Sequence, residues 1–206
     1  MLNIYLLRHG ETAWNADGNR YCGRTDLSLT EKGIEQAKLA GDKLKNISFN
    51  AVYASPLQRA VRTAEIAGKG QEVIPDNRLI EIDFGSWEGK TKEEFISENK
   101  SLWDNWMSDP ANHPAGGNGE TANEVMNRVN AFYGELINKW EDGKILVVAH
   151  NGINRLYLAY KLGMPLKNYR KFFLDNADVT WFTLDKTGEI ELKCLNGNSQ
   201  WIISIP

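Results

Sequence analysis

Leu2-Asn3-Ile4-Tyr5-Leu6-Leu7 carries no charge and stops at Arg8-His9-Gly10-Glu11-Thr12. A strand-length apolar run of this kind reads as a buried strand, and a polar, chemically rich segment directly after it reads as a turn at the strand's carboxyl end. The same figure recurs twice. Ala51 to Ala54 leads into Ser55-Pro56-Leu57-Gln58-Arg59-Ala60-Val61-Arg62-Thr63, and Lys144 to Ala149 leads into His150-Asn151-Gly152. Ligands of open parallel sheets bind beyond the carboxyl ends of the strands. Two of the three histidines and two or three arginines would therefore converge on one crevice.

Segments of helical period separate these strands. Thr30 is placed to cap a helix with Ile34, Ala37, Gly41 and Leu44 on one face, and Ser55-Pro56 reads as the start of a helix running to about Gly68. Val73-Ile74 is expected as a short strand, Asn77 to Gly89 as an irregular loop, and Thr91 as the cap of one helix reaching Met107. The Pro/Gly-rich stretch Asp109 to Gly119 reads as an exposed loop or a lid. Val125, Val129, Phe132, Leu136 and Trp140 then mark a long amphipathic helix. Asn151 to Leu162 forms a further helix, and Val179 to Leu184 pairs with Glu189 to Leu195 as a hairpin. Strands alternating with helices give an α/β fold, a three-layer sandwich with a mostly parallel central sheet and helices on both faces. One domain over residues 1–206 is expected, since no linker or repeat interrupts the chain.

The composition narrows the partners. With 24 Lys plus Arg against 27 Asp plus Glu the net charge is −3, and no basic stripe suited to a nucleic-acid backbone is present. No apolar run approaches the length of a bilayer span. Two cysteines, Cys22 and Cys194, are too few for a zinc ribbon or a disulfide framework, which fits a reducing cytosol. Neither nucleic acid nor membrane is an expected partner, and the expected location is the cytoplasm. Gly116-Gly117-Asn118-Gly119 follows no strand and is no dinucleotide fingerprint.

A lone histidine is most often a satisfied core residue. Here His9 and His150 arrive with Arg8 and Arg59, and cations gathered at one sheet edge repel one another unless an anion binds among them. Arginine's planar fork suits a phosphoryl group, and the helix N-terminus after Ala149 offers further amide donors and the positive end of its dipole. The expected ligand is phosphate carried on a small molecule.

These segments resemble the histidine phosphatase superfamily, which includes cofactor-dependent phosphoglycerate mutases and many phosphatases. The resemblance rests on Leu7 to Asn15, Thr25 to Gly33, Ser55 to Ala64, Leu79 to Gly89 and Val147 to Gly152, and covers about residues 2–195. It implies a phosphoglycerate mutase-like fold, with His9 as the nucleophile that becomes phosphohistidine and with Arg8, Arg59 and His150 holding the phosphoryl oxygens. Asn15 matches a further amide donor. Glu81 matches the acid that protonates the leaving oxygen and then activates water, with Asp83 and Glu88 as competing carboxylates; the bland alternative has Glu81 capping a loop or pairing with Arg78. Cys22-Gly23 lies where the family places small donors toward the substrate, although Cys22 reads equally well as a spectator thiol. Asn151, at the start of the last helix, is counted among the substrate-binding residues. Arg62 reads equally as a salt-bridge partner, and His113 as an exposed loop histidine. No metal and no cofactor are implied.

Phosphatases and mutases of this family differ in the acceptor of the second half-reaction. Mutases of the family usually carry a longer insertion than the 69 positions from Glu81 to His150, which favours hydrolysis. Phe84 to Glu88, Leu162-Gly163-Met164-Pro165 and Leu192 to Asn196 resemble the α-ribazole phosphatases in particular, and the aromatic segment Phe95 to Trp106 could pack on a flat base, although Trp103 and Trp106, three residues apart on a helix, are more often core. The expected activity is release of inorganic phosphate from a small phosphomonoester, with α-ribazole 5′-phosphate the first choice. A phosphoglycerate mutase and a catalytically silent phosphate-recognising scaffold are the alternatives.

Overall fold

The computed structural model describes residues 1–197; the last nine residues of the expected single domain lie outside the described residues. Six strands form one sheet: β1 (Leu2–Arg8), β2 (Ala51–Ala54), β3 (Val73–Pro75), β4 (Gly143–Ala149), β5 (Val179–Leu184) and β6 (Ile190–Gly197). Their order is β3-β2-β4-β1-β5-β6, with β1 to β4 mutually parallel and β5 and β6 added antiparallel at one side. The α/β sandwich expected from the alternating pattern is thus the observed one.

Seven helices connect and cover these strands: α1 (Ala13–Ala16), α2 (Glu31–Lys43), α3 (Gln58–Ala67), α4 (Lys92–Glu98), α5 (Lys100–Ser108), α6 (Ala122–Lys139) and α7 (Asn151–Lys161). The period-2 alternation of strand side chains sorts them into two layers. Tyr5, Leu7, Val52, Ala54, Leu146 and Val148 point to the face packed against Ala40 and Leu44 of α2 and Ala60, Ala64 and Ala67 of α3. Ile4, Leu6, Tyr53, Ile145, Val147 and Phe182 point to the other face, against α4 to α7.

Two helix boundaries differ from the sequence reading. Helix α3 begins at Gln58 with Leu57 as its N-cap, because the Ser55 hydroxyl instead accepts from the Leu57 amide inside the turn. The expected helix from Thr91 to Met107 is two helices, broken at Asn99, whose backbone (φ −155°, ψ 87°) leaves the helical region. That break lets Phe95, Trp103 and Trp106 all turn into the core around Trp87.

The register sets up the crevice. Arg8 pairs with Ala149, so the residues just beyond them, His9 and His150, emerge side by side from adjacent parallel strands. The His9 amide donates to the Ala149 carbonyl at 3.0 Å, and the Ser55 amide donates to Val148 at 3.0 Å, which brings the start of the α3 segment to the same edge.

Candidate active site

His9 is buried, and its Nδ1 donates to the Gly10 carbonyl at 2.7 Å, which leaves Nε2 as the free ring nitrogen. The Gly10 peptide is itself clamped. Its amide donates to the Thr63 hydroxyl at 3.0 Å, the Thr63 hydroxyl donates to the Arg59 carbonyl at 2.7 Å, and a side chain at Gly10 would strike the Gly33 carbonyl. Burial, together with the neighbouring Arg59 and Arg8 charges, pushes the His9 pKa well below the usual histidine value. A neutral imidazole with one committed nitrogen is a prepared nucleophile.

The His150 ring lies 5.1 Å from that of His9, centroid to centroid. Arg59 Nε donates to His150 Nδ1 at 3.3 Å, so neutral His150 carries its proton on Nε2, which has no protein partner. Burial and the surrounding arginines push its pKa well below the ordinary value. Arg8 donates through Nη1 to the Leu174 carbonyl and has an unpartnered Nε; burial lowers its pKa to about 10. Two unpaired donors therefore flank the nucleophile.

Glu81 occupies an unexpected position. Its Oε2 accepts from the Gly152 amide at 2.9 Å, and its Oε1 accepts from Ile153 at 3.1 Å and Ile82 at 2.9 Å. The amides at the start of α7, which the sequence reading assigned to phosphate, are thus occupied by Glu81. Gly152 is required for this approach, since a Cβ there would sit 2.7 Å from Glu81 Oε1. Burial raises the Glu81 pKa above the ordinary carboxylate value, and the three amides and Arg59 oppose the rise. Arg78, the alternative partner, pairs with Asp76 and Glu135 instead.

The acid loop is held from behind by residues that the sequence reading did not single out. Arg128 of α6 donates to the carbonyls of Arg78, Ile80 and Glu81 and pairs with Glu120, which in turn accepts from the Asp83 amide. The stretch from Asp109 to Gly119 belongs to this support. Ala115 and Gly116 are buried, Ser86 donates to the Gly116 carbonyl and the Asn118 side chain, and Gly85, Gly116 and Gly119 allow backbone approaches that any side chain would block. It is a wedge under the acid loop. Of the competing carboxylates, Asp83 accepts from Gly85 and Glu88 from Thr25, and neither lines the cavity.

A cavity of about 270 Å³ opens over His9. Arg8, Asn15, Cys22, Glu81 and Asn151 of the expected set line it with His9. The Asn15 carboxamide oxygen accepts from the Thr12 amide and hydroxyl, leaving its NH₂ group as the available donor. Asn151 carries a buried, unpartnered Oδ1, and burial pushes the Cys22 thiol up to about 11, which keeps it a neutral thiol. His150, Arg59 and Gly23 lie behind the lining. Arg59 is fully buried and donates to the carbonyls of Gly23 and Thr25 at 2.7 Å each and to His150, while Gly23 permits close approach to the Ile82 carbonyl. Arg62 is exposed and pairs with Glu65, and His113 stands away from the cavity.

The aromatic segment Phe95 to Trp106 does not form the face for a flat base, and Trp103 and Trp106 follow the more frequent core reading of their helical spacing. Phe95, Trp103 and Trp106 are core residues; Tyr21, Phe84, Tyr169 and Phe173 face the cavity, together with Arg20, Arg155 and Arg170. Among the described residues no group of three or more His, Cys, Asp or Glu side chains is placed to hold a metal ion, and no helix is long and apolar enough to cross a membrane.

Comparison with known proteins agrees with this geometry. Phosphoserine phosphatase 1 of Hydrogenobacter thermophilus is 35% identical over 195 residues, covering 94% of this chain and 92% of the relative. The adenosylcobalamin/alpha-ribazole phosphatase of Escherichia coli is 33% identical over 188 residues, covering 89% and 90%. The crystal structure of a phosphoserine phosphatase from Entamoeba histolytica in complex with 3-phosphoglyceric acid superposes with a TM-score of 0.86 at 30% identity, over 98% of this chain and 100% of that one. The family model for the histidine phosphatase superfamily (branch 1) matches residues 4–197. With two histidines at adjacent strand ends and a buried glutamate beside them, the chain belongs to the histidine phosphatase superfamily and is a phosphomonoesterase of that type.

Proposed function

We propose that the protein hydrolyses a small phosphorylated metabolite through a phosphohistidine on His9. The observation that carries this reading is the His9 ring, with Nδ1 committed to Gly10 and Nε2 free over the cavity. In the first step the Nε2 lone pair forms a bond to phosphorus while the bond from phosphorus to the ester oxygen breaks. Protonated Glu81 donates its proton to that oxygen. Arg8, His150 through its Nε2 proton and the Asn15 amide stabilise the charge on the transferring group. Arg59 supports them by holding His150 in the correct tautomer. In the second step ionised Glu81 takes a proton from water as the water attacks phosphorus. The bond from phosphorus to nitrogen breaks, and inorganic phosphate leaves. Histidine, arginine, Asn15 and Glu81 fill the roles for which a divalent cation would otherwise be needed, so the reaction runs without one.

In this reading residues 1–206 act as one cytoplasmic domain on a freely diffusing substrate. α-Ribazole 5′-phosphate stays in the panel on the strength of the sequence resemblance, although the aromatic segment invoked for its base is core. A cavity of about 270 Å³ favours a smaller ester. The test is phosphate release, with and without chelator, from p-nitrophenyl phosphate, phosphoserine, 3-phosphoglycerate, glycerol 3-phosphate and α-ribazole 5′-phosphate. Chelator-resistant release from at least one ester is expected. Conversion of 3-phosphoglycerate to its 2-isomer faster than phosphate appears from any ester would replace the hydrolase by a mutase, and no turnover of any kind would leave the scaffold reading.

A further inference from the structure

Part of the cavity wall is cationic. Arg155, on α7, and Arg170, in the turn Leu166–Lys171, both line it. Arg155 is 9% exposed; its Nη2 donates to the Arg170 carbonyl at 2.6 Å, and its Nε has no partner. Arg170 donates to the Tyr21 hydroxyl at 3.0 Å and lies over the Trp103 ring at 5.1 Å, while Arg155 lies over Tyr169 at 5.6 Å. The two guanidinium groups are therefore held in place by a carbonyl, a phenol and aromatic faces.

Neither has a carboxylate partner among the described residues. The third arginine of this wall, Arg20, is different, because it pairs with Asp17 and Glu94 at 2.7 Å each. Arg155 is nearly buried and Arg170 half-buried, and two neighbouring cations without counter-charge repel each other. Burial, and after it the Arg170 charge, holds Arg155 below the ordinary arginine value, whereas Tyr169 and Tyr21 raise Arg170 against the effect of burial. An anion placed between them removes the repulsion and gains charge-assisted hydrogen bonds. In the proposed reaction the phosphoryl group is taken up at His9 by Arg8 and His150, which leaves Arg155 and Arg170 for a different anion.

We propose that Arg155 and Arg170 form a second anion subsite, so that the substrate is a small phosphomonoester bearing a further anionic group, a carboxylate or a second phosphate. This rests on the hydrolase reading for its phosphoryl end and assigns the other end. Such a subsite binds by charge and planar geometry, and it discriminates against esters that carry only hydroxyls.

Matched pairs test it: 3-phosphoglycerate against glycerol 3-phosphate for a carboxylate, and 1,3-propanediol bisphosphate against its monophosphate for a phosphate. The expected result is a kcat/KM ratio of about 30 or more in favour of the anionic member of at least one pair, the magnitude of hydrogen bonds to a charged group. The pair that shows it identifies the anion. In Arg155→Met and Arg170→Met the ratio falls toward one, and Arg155→Lys recovers part of it. Loss of activity on both members alike, with the ratio unchanged, would mean that these arginines merely support the fold and would overturn the subsite. A wild-type ratio near one would overturn it as well. Calorimetric binding of the same pairs to the His9→Ala protein reads the subsite without turnover. Preferential binding with no phosphate release from the wild-type enzyme would sink the hydrolase and keep the subsite, and release with no preference would do the reverse.

Discussion

The floor and the arginine wall of one cavity are built on opposite principles. On the floor, each reactive side chain has a backbone or neighbouring group that settles its chemistry: Gly10 takes one nitrogen of His9, Arg59 sets the tautomer of His150, and three amides hold Glu81. On the arginine wall, Arg155 and Arg170 are positioned without counter-ions among the described residues, and Arg155 keeps an unpartnered Nε. A group whose tautomer and orientation are set by the fold can perform one reaction on any substrate that reaches it. A group left partly unassigned responds to what the substrate brings. In the proposed reading the reaction resides in the floor and the selection in the wall.

The comparison breaks most visibly at His9. His9→Ala should lower kcat by about 10⁴-fold or more, as loss of a covalent nucleophile does. It should also abolish the acid-labile phosphoryl adduct expected on rapid quenching of the wild type. An adduct surviving in the variant would move the nucleophile elsewhere on the floor.

Glu81 comes next. Glu81→Gln should slow alkyl phosphates by about 10²–10³-fold and p-nitrophenyl phosphate far less, since a phenolate leaves without a proton. Its pKa is raised by burial, so acid catalysis is present below that value and is lost as pH rises through it. The wild-type profile with alkyl esters should fall on that limb, and the Gln variant should lack it. Equal slowing of both leaving groups would reassign Glu81 to holding the loop.

The smallest effect tests the clamp. Thr63→Val removes the hydroxyl that receives the Gly10 amide and leaves a buried donor unmatched. We expect a loss of about 10-fold in kcat with little change in KM, and recovery in Thr63→Ser, in line with one missing hydrogen bond of about 1–2 kcal/mol. An unaltered kcat would show that Gly33 packing alone holds the Gly10 peptide, and a larger change in KM than in kcat would place Thr63 with the binding wall.

Much of the floor was legible in the chain itself. An apolar strand ending in Arg8-His9, a second in Ser55 and a third in His150 announce a crevice, because strand period and the residues at strand ends are local properties. The family motifs pointed to Glu81. Its partners were not visible, because the amides of Gly152 and Ile153 are 71 and 72 positions away and only the packing of α7 on the acid loop brings them within reach. The same holds for Asp109 to Gly119. Its glycines read as an open loop, yet their lack of side chains is what admits the backbone of Asp83 to Ser86.

The sequence alone determined the layer order of the sandwich, the pairing of two histidines at one sheet edge and the phosphoryl chemistry that follows, since these depend on residue type and short-range period. Tertiary structure decided which groups line the cavity and which stand behind it. Trp103 and Trp106, three residues apart on a helix, are core because the break at Asn99 turns them inward, whereas Arg155 and Arg170 have no motif and face the cavity because α7 and the turn after it meet there. A side chain's direction follows from the packing of whole elements, and that information is spread over the chain and concentrated in no single stretch of it.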